Sequence, residues 1–297
     1  MTSSTPLSAA STRSLAVYAE NSILQHHAPR EGRAPEAPVG MDAPGVFYAA
    51  CIGDHATTGA QDVQYTWNKG RRRSMLENGS KRIIACATVA EELRLMGVPE
   101  EDLLELEFGL HVYPDKLRET LQKEIDAIPG NGDIILGYGL CSNAAVGLTS
   151  QNHRLIIPRV DDCIALFLGS RKEHLTRLRE EPGTYFLTKG WIKAAELPIN
   201  DYLRMVEKYG QERAMRVTKA MLANYKRVVL INTGNYRLEE CREAARSMAD
   251  TLELNYEEIP GSNRMLRMML EVNGEWNSEY IVVEPGEETT LAMFLQG

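Results

Sequence analysis

From Lys81 onward the chain repeats one unit: a short apolar run, a turn, then a segment whose apolar residues recur at helical spacing. Arg82 to Cys86 is strand-like and leads into Val89, Leu93 and Met96 one helical turn apart. Asp133 to Leu136 opens into Gly137-Tyr138-Gly139-Leu140-Cys141-Ser142-Asn143, and Ala144 to Leu148 predicts the start of a helix. Leu155 to Ile157, stopped by Pro158, passes through Arg159-Val160-Asp161-Asp162-Cys163 into the apolar helix Ile164 to Leu168. Strands that read as continuous apolar runs between helices are those of a sheet covered on both faces. The fold class that follows is α/β: a predominantly parallel sheet with flanking helices, made of Rossmann-like units.

Around that nucleus the pattern predicts further elements. Leu103 to Phe108 is a short strand, and Pro114 to Ile128 is a helix burying Leu117, Leu121, Ile125 and Ile128, with Pro114 suited to its first turn. Thr184 to Leu187 is a strand, and residues 199 to 224 read as one long amphipathic helix. Arg227 to Ile231 begins the last clear strand, turn and helix unit, followed by a strand near Leu252 to Ile259, a helix at Met265 to Leu270 and a final strand at Tyr280 to Val283. Residues 1 to 45, rich in Ser, Ala and Pro, read as a tail or arm that packs on a partner or a second copy in a homo-oligomer. Gly45 to Cys51 is a candidate first strand, and Arg71 to Arg73 a basic cluster on a solvated face. Residues 46 to 224 form the main domain and 225 to 297 a C-terminal α/β lobe.

Three of the five cysteines share one placement: Cys86, Cys141 and Cys163 each stand where a strand gives way to a helix. In an open parallel sheet the crevice beyond the carboxyl ends of the strands is the usual ligand site, and helix N-termini there favour thiolates. Three converging thiolates suit zinc with an open fourth position or a [4Fe–4S] cluster with an open iron. The alternative is that each is a small apolar residue packed behind its strand. Their separations of 55 and 22 residues match no compact metal motif. Cys51 is a weaker fourth ligand, and Cys241, inside a predicted helix, is structural.

Polar residues unsuited to an apolar core surround the trio. Tyr138, Asp162 and His111 are the candidates for moving a proton; Arg159, Ser142, Asn143 and Asp161 are those for binding a substrate, with Arg159 suited to clamping a carboxylate. Arg159 and Asp162 equally suit a structural ion pair. Gly137 and Gly139 permit close backbone approach to a ligand, although two glycines do not make a dinucleotide fingerprint. His153 and His174 read as surface histidines.

Charge and composition limit the partners. A formal net charge of −8 argues against a grip on nucleic acid. No apolar run approaches the ~20 residues a membrane helix needs. Unpaired, scattered cysteines without an apolar signal-peptide core favour a reducing, cytoplasmic compartment. The remaining functions are a metalloenzyme acting on a small molecule, a carrier delivering metal, sulfur or a corrinoid intermediate to a partner enzyme, and metal-free cysteine chemistry with Cys141 as nucleophile.

The Cys86 turn, Gly109-Leu110-His111 with Pro114, Leu136 to Asn143, Ile157 to Cys163 through Leu168-Gly169-Ser170, Glu181 to Tyr185, and Gly190-Trp191 together resemble domain-of-unknown-function family 1638 of bacteria and archaea, over about residues 81 to 285. The resemblance implies an association with corrinoid and methyl-transfer systems. It leaves the 80 residues ahead of the matching region as an addition.

Overall fold

The computed structural model describes residues 82–193, 197–270, 276 and 278–296. The expected arm at 1–45, the strand at Gly45 to Cys51, the arginine cluster and Cys51 lie outside the described residues.

Two sheets organise the described residues. The first takes β1 (Arg82–Cys86), β2 (Leu103–Leu106), β3 (Gly132–Gly137), β4 (His153–Pro158) and β8 (Tyr280–Val283) in the order β2-β1-β3-β4-β8. Its first four strands are parallel, and β8 runs antiparallel along β4. The second sheet is β5 (Thr184–Leu187), β6 (Arg227–Asn232) and β7 (Asn255–Pro260), all parallel. The α/β class with mostly parallel pairing is therefore the observed one. Strand pairing crosses residue 225 in both directions, because β5 joins β6 and β8 returns to β4.

The strand order positions the site. From β1 the chain passes through α1 (Ala87–Leu95) to the edge strand β2, then through α2 (Pro114–Ala127) to β3 on the opposite side of β1, and continues outward to β4. Winding thus reverses between β1 and β3. Neighbouring loops diverge at such a switch point and leave a crevice at the carboxyl ends of the strands. Cys86 is the last residue of β1, and Cys141 lies four residues beyond the end of β3.

Period-two alternation sends β1, β3 and β4 side chains to opposite faces. Ile84, Ile134, Leu136, Leu155 and Ile157 meet Leu117, Leu121 and Ile125 of α2 in one core. Ile83, Ala85, Ile135 and Ile156 enter the other, which also contains α3 (Cys163–Leu168) and, from the second sheet, Phe186, Val229, Ile231 and Ile259. The two sheets share this second core.

The remaining helices are α4 (Arg171–Glu180), α5 (Lys189–Lys193), α6 (Pro198–Tyr209), α7 (Gln211–Met221), α8 (Leu238–Leu252), α9 (Arg264–Leu270) and α10 (Leu291–Leu295). Two helical expectations need correction. The segment 199–224 breaks at Gly210, whose φ of +80° ends α6 in a conformation that glycine takes without a Cβ clash. The helix expected from Ala144 is a run of turns over 141–147 instead, because the chain leaves β3 left-handed. The histidines need correction too: His153 and His174 are buried, with His153 Nε2 3.1 Å from the Ile128 carbonyl oxygen.

Candidate functional site

Cys86 occupies the N-cap position of α1. Its Sγ lies 3.0 Å from the Thr88 hydroxyl, which also reaches Cys163 Sγ at 4.0 Å, so Thr88 bridges two of the three thiols. The Cys163 thiol hydrogen-bonds the Cys86 sulfur and, with Thr88 and the backbone at Thr88 and Val89, outweighs burial and lowers Cys86 to about 7. Cys163 is correspondingly held well up as a thiol by that bond and by burial.

Cys141 begins the most distorted backbone among the described residues. Cys141, Ser142 and Asn143 are three consecutive non-glycine residues with φ of 44°, 55° and 70°. Left-handed geometry costs an L-residue on the order of 1–2 kcal/mol, and it persists where surrounding contacts impose it. Here the Leu140 and Cys141 N–H groups donate to the Val160 and Asp161 carbonyls at 2.8 and 2.9 Å, tying this turn to the one that carries Cys163. From behind, the Gly147 N–H donates to the Thr289 carbonyl, and the Leu148 N–H to the Thr289 hydroxyl. Burial, then the charge of Cys86, pushes the Cys141 thiol up.

The glycines serve this packing. A Cβ on Gly139 would stand 2.5 Å from the Val160 carbonyl oxygen, and one on Gly137 2.6 Å from the Ala85 Cβ. Their missing side chains let neighbouring backbone close up, which corrects the expectation that they make room for a ligand.

Tyr138 follows directly on the end of β3. Its side chain is buried, its hydroxyl has no hydrogen-bond partner, and its acidity is suppressed by burial and then by Cys86, Cys141 and Cys163 in turn. A buried hydroxyl without a partner costs about 1–3 kcal/mol, which a bound acceptor would recover. Cys86, Cys141 and Cys163 are free thiols and only partly buried. Among the described residues, no group of three or more His, Cys, Asp or Glu side chains is arranged to hold a metal ion. Thr88 is the link between Cys86 and Cys163, through its hydroxyl.

The other candidates take varied positions. Asp162 caps α3, accepting from the Ile164 N–H at 2.9 Å, and its Oδ1 is 3.7 Å from Nδ1 of the buried His174. Asp161 is buried and held by both arms of Arg171 at 3.0 and 3.2 Å, so it anchors α4 to the Cys163 turn. Arg159 does not pair with Asp162; it donates to the Gln296 carbonyl oxygen at 2.7 Å. Ser142 and Asn143 are exposed beside Cys141. His111 packs against Phe108 and Trp191, ring centroids 5.4 and 5.7 Å away, beyond the carboxyl end of β2.

Thr88 and Trp191 are residues that sequence reasoning left out of the site. Gly190, at the start of α5, packs against Thr88, where a Cβ would come within 2.7 Å of Thr88 Cα. That contact sets Trp191 beside His111, its indole nitrogen buried without a partner. A hydroxyl two residues after a strand-end cysteine was the one available signal for Thr88.

No curated protein and no solved structure matches the chain at a significant level. One family model, described as a protein of unknown function (DUF1638), matches residues 105–270, which contain Cys141 and Cys163 but begin after Cys86. That span exceeds half of the 297 residues, and the chain belongs to the DUF1638 family.

Proposed function

We propose that the protein is a metal- or iron–sulfur-dependent enzyme acting on a small polar metabolite, with Cys86, Cys141 and Cys163 as ligands of zinc or a [4Fe–4S] cluster. One observation supports the reading above the others: three partly buried thiols stand at or beyond the carboxyl ends of the neighbouring parallel strands β1, β3 and β4, and the Tyr138 hydroxyl after β3 is buried without a partner. The donor chemistry fits a soft metal. The three thiols would have to draw together on the metal, since no ready group of three exists among the described residues.

Such a metal supplies Lewis acidity at its open position. The residues of the chain have their own tasks. Tyr138, kept protonated, would donate a hydrogen bond to an oxygen of the bound substrate. Thr88 orients Cys86 and Cys163, and Ser142 and Asn143 offer polar groups at the exposed lip. Thiolate ligands of this kind belong to a reducing, cytoplasmic setting.

A second reading rests on the lowered Cys86 thiol: a metal-free enzyme whose nucleophile is Cys86, with Cys163 as hydrogen-bond donor. That assignment replaces Cys141, which burial and neighbouring charge hold as an unreactive thiol.

The test is elemental analysis with an absorption spectrum on anaerobically purified protein, beside Cys141→Ala. Near-stoichiometric iron or zinc that is lost in the variant supports the metal reading. Metal-free protein with one fast-alkylating thiol at Cys86 moves the assignment to the second. Stoichiometric metal without turnover on any substrate class would point instead to delivery of metal, sulfur or a corrinoid intermediate to a methyl-transfer partner.

A further inference from the structure

A buried acid stands where the two sheets meet. Glu92, on α1, is fully buried. Its Oε2 accepts from the Thr233 hydroxyl at 2.9 Å and the Asn235 amide at 2.6 Å, while Oε1 is buried without a partner. Thr233 and Asn235 follow the end of β6 in the second sheet, and Asn263 follows the end of β7. Asn235 and Asn263 exchange reciprocal amide bonds of 2.8 and 2.7 Å, and Asn263 also donates to the Thr233 carbonyl at 3.1 Å. The strand-end crevice of the second sheet is thus filled by one carboxyl from a helix of the first.

Among the described residues Glu92 forms no ion pair; Lys189 favours its charge weakly and Glu91 opposes it. Glu91, beside it on α1, is matched by Lys189 and Lys193 of α5, each at 3.2 Å. Tyr236 donates its hydroxyl to the Ile231 carbonyl at 2.6 Å, and Cys241 of α8 is buried behind it. Desolvation raises Glu92 above the ordinary carboxylate range; the Asn235 and Thr233 bonds oppose this without cancelling it. An uncharged carboxyl suits the observed bonds, with Oε2 as a carbonyl accepting twice and the proton on Oε1.

We propose that Glu92, in its uncharged form, latches the cysteine-bearing helix α1 to the strand-end loop of the second sheet, and that losing the proton to solvent loosens this contact. The latch is independent of what the sulfur site holds. Cys86 is the N-cap residue of the same helix.

The sign follows from linkage. A carboxyl whose folded value is raised binds its proton more tightly folded than unfolded, so its stabilising effect is full at acid pH and falls as pH climbs through the raised value. Gln cannot ionise and keeps a carbonyl acceptor for Thr233 and Asn235. The experiment is thermal unfolding of wild type and Glu92→Gln from pH 5 to 9, with hydrogen exchange of residues 88–96 and 233–236 normalised to the variant. Other titrating groups are common to both proteins and cancel in the difference. A melting-temperature difference that grows in favour of Glu92→Gln with rising pH, together with faster relative exchange in wild type, is the expected result. Parallel curves would overturn the proposal. Should Glu92→Gln fail to fold, Thr233→Val removes a donor to the charged form and should move the wild-type inflection to higher pH. An unmoved inflection overturns the proposal equally.

Discussion

Adding one methyl group at Gly139 tests whether the Cys141 and Cys163 turns are packed as described. The Cβ of Gly139→Ala would lie 2.5 Å from the Val160 carbonyl oxygen and 2.8 Å from Val160 Cγ2. The first neighbour is backbone, so relief must come from separating the two turns. Overpacking of this kind costs roughly 1–3 kcal/mol. Separation also weakens the Leu140 and Cys141 N–H bonds to Val160 and Asp161, each worth about 0.5–1.5 kcal/mol. The expected loss is therefore about 2–4 kcal/mol, measured by urea unfolding with an unchanged m-value. Gly210→Ala is the comparison without packing: nothing lies within 4 Å of its Cβ, but its φ of 80° and ψ of 157° are open almost only to glycine, so a backbone cost of about 1–3 kcal/mol applies. Gly139→Ala as stable as wild type would refute the packing of the two cysteine turns.

Other expectations follow from the same contacts. Asp161→Ala leaves the partly buried Arg171 without its carboxylate and should destabilise by about 3 kcal/mol in urea unfolding; an effect below ~1 kcal/mol would mean that the pair is solvated. Alkylation of Cys86 in metal-free protein should rise with pH around an apparent value of about 7, because the thiolate is the reactive form. Cys163→Ala removes the leading donor and should move that profile to higher pH; an unshifted profile contradicts the thiol–thiolate bond. Asn143→Gly relieves a φ of 70° and should stabilise the fold by up to about 1 kcal/mol in thermal unfolding, whereas destabilisation would mean that the side chain secures the turn.

The sheet was legible because parallel strands covered on both faces are written as continuous apolar runs. Ile83, Ile84, Ile134, Ile135 and Leu155 to Ile157 are all buried in the strands they predict. The division into two sheets was not legible, since Thr184 to Leu187 and Tyr280 to Val283 are equally apolar and nothing in their own sequence states their partners. The expected helix at Ala144 failed for a related reason. Helical propensity at Ala144 and Ala145 is local, while the turn is imposed by bonds to Val160, Asp161 and Thr289. Asp161 shows the limit for site residues: an acid beside a strand-end cysteine reads as a binding group, and only the fold brings Arg171 to it. Glu92 carried no signal at all, because a glutamate on a helix is ordinarily exposed and its burial depends on the second sheet.

The central claim is that Cys86, Cys141 and Cys163 act as one metal-holding site. The most direct measurement is mass-spectrometric mapping of thiol alkylation before and after anaerobic loading with zinc or with iron and sulfide. Protection of all three thiols together, lost at the remaining two when any one is changed to Ala, is the predicted result. Protection of Cys86 and Cys163 that is indifferent to Cys141, or no protection at one equivalent of metal, would contradict it.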